Sequence, residues 1–451
     1  MQQGQDESEG VEQNNFEDGD DEALELTPAQ LVDLLVESAL EDMFARQVEV
    51  LRLATYIQLR ASEIDDYKAR AKEEIRRTLD GIDEDAFGGV WEAWQTRMAE
   101  DEGESVNSQE RLEAFSAAMD EVAETLPEGA IHSYLGGVLS ATVRGPSVPM
   151  IYRSLLVTLV GELEVFVGRV ARALLLVEPD ALEASDRKFT WNEISKYDTL
   201  DDLKARVIDR AVEDLLRDSM DEALKFFDRR FGIKAPKIMG TFAAKEAIQR
   251  RHVVVHNGSR VSSQYIERLQ DFPIEVERDD MLSVDLEYLR STADTLFVCG
   301  MGLAFSARMR KGASAEATQR DLSNRLYELL IHKRPQVVEL VASEVDADRL
   351  HESTQLVYRV NVWLAMQAVG KTAECRAEVE AFDVSTRNRE YVLAKHALLG
   401  EDAEAYELAQ KMLRDDELPA QGWLAWPLLA GAREYERRMK AASVADENGD
   451  A

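Results

Sequence analysis

Apolar side chains recur every three or four positions through most of this chain, the spacing of helices that bury one face. Helical spacing opens at Thr27-Pro28, where a cap residue precedes a proline suited to the first helical position. It continues through Leu31, Leu34, Leu35 and Leu40 to about Arg77. It resumes around Trp91 and Trp94, breaks over the polar stretch Glu100 to Glu110, and returns from Leu112 to Leu126. The pattern predicts an N-terminal helical domain over 27–145, ended by the two prolines of Gly145-Pro146-Ser147-Val148-Pro149.

Beyond that boundary Leu156, Leu159, Leu163, Phe166, Val170 and Leu174 form one long stripe. A second runs through Val207, Ile208, Val212, Leu215, Leu216, Leu224 and Phe227. A third helix is expected from about Thr241 to His256, stopped by Asn257-Gly258, a pair that accepts left-handed backbone. A fourth runs from Leu286 through Leu289, Leu296, Phe297 and Leu303. The proline-marked stretch Phe272 to Val276 is too short and isolated to imply a sheet. These stripes predict a bundle of about four helices over 150–312 in an all-α protein.

A further helical-hairpin domain is expected over 313–441, where Leu364 to Glu374 matches Ala394 to Glu404 at a 30-residue offset, each carrying Gly-x-x-Ala-Glu. The second copy resembles one tetratricopeptide helix-turn-helix. The ends, 1–26 and 442–451, read as disordered tails, the first of them acidic and with Phe16 as its one aromatic residue.

The chain carries 87 acidic and 53 basic residues, a formal charge of −34, so most of its surface repels polyanions and any nucleic-acid site must be local. Its start lacks a secretory signal and no apolar run suffices for a membrane span, which predicts a cytoplasmic protein without a membrane partner. Cys299 and Cys375 lack the paired spacing of a disulfide framework or zinc site and read as buried thiols. No Gly-rich phosphate loop, nucleophile elbow or acidic metal loop is present, which disfavours nucleotide hydrolysis and serine hydrolase chemistry.

One segment reverses the charge. Across 225–260 stand nine basic residues, from Lys225 to Arg260, against Asp228 and Glu246. Inside it lies Arg251-His252-Val253-Val254-Val255-His256-Asn257. The two histidines, four apart, share a helix face, and imidazole exchanges protons near neutral pH while a guanidinium stabilises phosphoryl charge. That is a minimal kit for metal-free RNA cleavage with the 2′-hydroxyl as nucleophile, leaving a 2′,3′-cyclic phosphate. At roughly 100° per residue, Arg251 and His256 point about 140° apart, so two copies would have to bring them together. Arg250, Asn257, Arg260 and Lys245 are candidate RNA contacts. Glu162 or Glu164 on the first bundle helix is a candidate for orienting the motif, with a solvent-facing glutamate the alternative. His-x-x-x-His also suits zinc, but the internal glutamate of metalloproteases and a third ligand are missing, so no cofactor is expected.

Arginine followed by four residues and a histidine, near the end of a third bundle helix, resembles the HEPN family, including its defence-associated ribonucleases. The resemblance covers about 150–310, with the long first helix and Tyr265 after the helix stop, and leaves both flanks unmatched. It implies Arg251 and His256 as the catalytic pair, with His252 in the polar position beside the arginine. It further implies a homodimer with both motifs facing one cleft, and RNA as substrate in a toxin, antiphage or RNA-processing setting; in a toxin or antiphage effector the flanks or a regulatory protein would be expected to restrain or trigger the enzyme. The alternative from a different class is a non-catalytic RNA- or protein-binding scaffold. There Arg251 would be in a surface ion pair, with Glu246 for example, and His256 would serve the helix terminus.

Overall fold

The computed structural model describes residues 26–64, a few positions between 66 and 88, and 147–182, 189–312, 314–384 and 388–449. The expected tail over 1–25, the segments around Trp91, Trp94 and Leu112 to Leu126, and His132 lie outside them. Among the described residues the chain is all-α, without a strand. A lone antiparallel bridge joins Arg260 to Met281. No described helix is long and apolar enough to cross a membrane.

Helix α1 (Pro28–Leu59) starts as its sequence prescribes. Thr27 Oγ1 accepts from the Gln30 N–H at 3.3 Å while Gln30 Oε1 accepts from the Thr27 N–H at 2.9 Å, a reciprocal cap ahead of Pro28. Helix α2 (Ser147–Val177) begins within the two-proline boundary. Pro149 falls in its first turn, where backbone N–H groups have no intrahelical acceptor and a proline removes nothing. The stripe Leu156 to Leu174 is wholly buried. The second expected stripe is divided into α3 (Leu200–Arg217) and α4 (Met220–Phe231). Ser219 takes extended backbone and accepts from the Glu222 N–H, capping a new helix. Gly168 lets α2 and α3 approach closely, because a Cβ there would lie 2.9 Å from Leu216 Cδ1. Helices α5 (Phe242–Asn257), α6 (Ser263–Arg268) and α7 (Leu286–Lys311) complete the bundle.

Helix α1 packs along α2 and α7, with Val32, Val36, Leu40 and Met43 in the same core. The first helix of the 27–145 segment thus belongs to the central bundle, where its apolar face is buried. Arg308 of α7, 5% exposed, donates Nε to Asp33 at 2.7 Å and Nη2 to Asp321 at 2.7 Å, and also pairs with Glu37. Removing Arg308 would take this cation from Asp33 and Asp321 and leave Glu37 to Arg325, loosening the junction of α1, α7 and α8 (Ala315–Ile331).

Helices α9 (Pro335–Glu344) and α10 (Glu352–Ala368) still feed the central core through Val337, Val338 and Tyr358. Beyond them α10 pairs with α11 (Thr372–Ala381), and α12 (Arg389–Leu399) with α13 (Asp402–Arg414), around a second core containing Trp363, Leu393 and Met412. The 30-residue match has a backbone cause, since Gly370 (φ 89°) and Gly400 (φ 77°) both make the left-handed turn between paired helices. Helix α14 (Ala430–Gly449) carries helical backbone past residue 442, into the expected tail. Trp363 and Trp423 are buried, whereas Trp191 is 81% exposed on a one-turn helix that has no buried residue. Both cysteines are free and buried, and burial pushes the Cys375 thiol up to about 11 and that of Cys299 higher still.

Candidate functional site

Helix α5 is fixed at both ends. Thr241 caps its start, and Gly258 (φ 58°) ends it after Asn257 in left-handed geometry. Ala244, Glu246, Ala247 and Val253 are buried, Arg251 and His252 are half-buried, and His256 is exposed.

The buried face carries an unexpected polar knot. Glu246, 3% exposed, accepts from the Tyr265 hydroxyl at 2.7 Å and the Arg250 Nε at 2.6 Å on one oxygen, and from the Tyr288 hydroxyl at 2.6 Å on the other. The Arg250 guanidinium lies 4.1 Å from the Tyr288 ring centroid and also donates to the Ser283 carbonyl. Arg250, proposed from sequence as an RNA contact, is therefore committed to the interior, because a buried carboxylate one turn earlier needs a cation. Glu246 partners Arg250, and not Arg251.

Arg251 Nη2 reaches Glu164 of α2 at 3.2 Å, while its buried Nε has no hydrogen-bond partner among the described residues. Of the two glutamates proposed to orient the motif, Glu164 thus meets it. Glu162 instead pairs with Arg46 of α1 at 3.3 Å. His252 and His256 lie with ring centroids 4.6 Å apart. Burial, then the neighbouring His256 and Arg251, lower the His252 pKa below the ordinary 6.5, so its imidazole is neutral at pH 7 and ready to accept a proton. An NMR titration is expected to place His252 below 6.5, with His256→Ala and Arg251→Gln each moving it upward. A midpoint at or above 6.5 in the parent would contradict this environment. Because the folded-state value is lowered, the associated stability is held above pH 6.5 and lost as pH falls through that value.

Arg251 and His252 line a groove of about 790 Å³ between α5, the α3–α4 junction and α6. Lys245 lines it too, 5.8 Å from the Phe272 ring centroid. Asn257 and Arg260 line a separate shallow depression, where Arg260 donates to the Asp279 carbonyl at 3.0 Å. His256 borders neither, so the site residues named from sequence fall on adjoining surfaces. The larger groove also presents Ser219, Gln249, Gln264 and Arg268, which no motif in the sequence marks because they converge from three elements. Its five carboxylates outnumber its four cations, so anion attraction there is local to particular side chains.

The basic island is partly paired with acids from outside its own segment or near its start. Lys225 and Arg229 pair with Glu222, Lys234 with Asp228, and Arg251 with Glu164. Among the described residues no group of three or more His, Cys, Asp or Glu is arranged to hold a metal ion. No family model, curated protein or solved structure matches the chain.

Proposed function

We propose that the chain is a metal-independent endoribonuclease of HEPN type. The observation that carries the reading is the half-buried Arg251, held by Glu164 at the edge of the groove, with the neighbouring His252 and His256 rings on the final turns of the same helix. A phosphodiester replaces Glu164 as the partner of Arg251. A neutral imidazole takes the 2′-hydroxyl proton, O2′ attacks phosphorus, and the P–O5′ bond breaks as a protonated imidazole gives its proton to the leaving O5′. His256 moves the proton and His252 assists. The products are a 2′,3′-cyclic phosphate and a 5′-hydroxyl. Because Arg251 enters the groove and His256 stands outside it, the reading takes the active form to be a two-fold dimer, with α2, α3, α5 and α7 as the HEPN-like bundle and the hairpins α10–α13 as a tetratricopeptide-like partner surface.

The test is incubation with mixed RNA in EDTA, reading fragment ends. Cleavage to 2′,3′-cyclic phosphate termini is expected. Cleavage dependent on added metal, or none across a range of salt, would overturn the proposal. The charge pairing across 225–260 favours a second reading, a binding scaffold, which predicts RNA or protein binding without any cleavage.

A further inference from the structure

A second cavity lies away from α5, where α1, α7 and α8 meet. It encloses about 340 Å³, within the range of small-ligand sites. Phe44, Val48 and Leu51 of α1, Phe297 of α7 and Leu329 of α8 supply its apolar lining, and the Phe44 and Phe297 rings lie 4.9 Å apart at 45°. Its polar residues are Arg325, Arg334, His332 and Glu328. Among the lining residues themselves two arginines stand against one carboxylate, Glu328.

The arginines are held in place but not exhausted. Arg334 pairs through Nη2 with Asp294, and its guanidinium carbon lies 5.9 Å from the Phe44 centroid and 5.8 Å from that of Phe297. Arg325 pairs through Nη2 with Glu37 and, at 3.5 Å, with Glu41. None of these three carboxylates lines the cavity. Among the described residues Nε and Nη1 of each arginine make no hydrogen bond, which leaves charged donors on both guanidinium groups for a carboxylate oxygen.

We infer that this cavity binds a small amphipathic carboxylate, its apolar tail against Phe44, Val48, Leu51 and Leu329 and its head on Arg334 and Arg325. The site is independent of the ribonuclease reading, since none of its residues touches the Arg251 groove. Octanoate is the probe, with octylamine and octanol as controls of equal tail length, measured by calorimetry on the full chain below micelle-forming concentrations. Octanoate is expected to bind with one-to-one stoichiometry, at least tenfold tighter than either control. Arg334→Gln, which keeps a polar side chain and removes the charge, is expected to weaken octanoate at least tenfold and leave octanol unchanged. Val48→Trp, which fills the apolar end, is expected to abolish binding, with the circular dichroism spectrum of both variants matching the parent. Equal affinity for octylamine, multiple sites per chain, or unchanged octanoate binding in either folded variant would overturn the inference. So would the absence of octanoate binding by the parent.

Discussion

Glu246→Ala is expected to destabilise the protein by about 3–5 kcal/mol, the range for stripping one partner from a buried ionic group. The side chain is 4% exposed and is the common acceptor for three donors from three places: Arg250 in its own helix, Tyr265 in α6 and Tyr288 in α7. Alanine leaves a largely buried guanidinium uncompensated and two phenols without their acceptor, and it opens a gap where the three elements meet. Glu246→Gln, which keeps volume and one acceptor oxygen but turns an amide toward a donor, is expected to lose roughly half as much. Urea unfolding would show the midpoint falling with the slope unchanged. A loss under about 1 kcal/mol for the alanine variant would mean that the knot is a surface arrangement, in conflict with its burial.

The same knot fixes an alkaline limit. Burial, and then Glu246, raise the Tyr265 and Tyr288 phenols above the ordinary value of 10, so the unfolded chain loses these protons before the folded one does. Stability is full below pH 10 and declines as pH rises beyond it.

Periodicity encodes local properties, and those were the legible ones. Leu156 to Leu174 could be read directly, because one stripe on one helix is a local property, and Asn257-Gly258 because a left-handed stop is chemical. The break at Ser219 was hidden because apolar spacing continues across it, while a single capping hydroxyl decides. Place in the core was hidden for α1 as well. An amphipathic face announces that it is buried but not against what, and its partners α2 and α7 begin over a hundred residues away. At the site, spacing singles out Arg251, His252 and His256 as candidates, and composition adds Arg250 beside them. Which arginine faces the interior depended on Glu246 meeting two distant tyrosines, a fact of tertiary packing. The basic count from 225 to 260 misled for a related reason, since Glu222 and Glu164, which neutralise three of its members, lie outside the window.

Arg251→Ala and His256→Ala are each expected to reduce RNA cleavage by about 10²–10⁴-fold, the usual worth of a charge-stabilising donor or a proton-transfer group. Mixing the two inactive variants is the more informative experiment. Arg251 lines the groove while His256 lies outside it, five residues further along the same rigid helix, so no rotation of α5 turns both toward one phosphate. If each site takes Arg251 from one copy and His256 from the other, random exchange makes half of the dimers mixed, and each of these regains one of two sites. Activity should then return to about a quarter of the parent's at equal total protein, with the recovered fraction proportional to the product of the two variants' shares. Recovery should fail when either variant is mixed with a copy lacking both side chains. If cleavage is lost in each variant and mixing restores nothing after subunit exchange has been verified, the site lies within one chain. Arg251 must then leave Glu164 and reach around the helix end, which predicts that Glu164→Gln alone raises the rate.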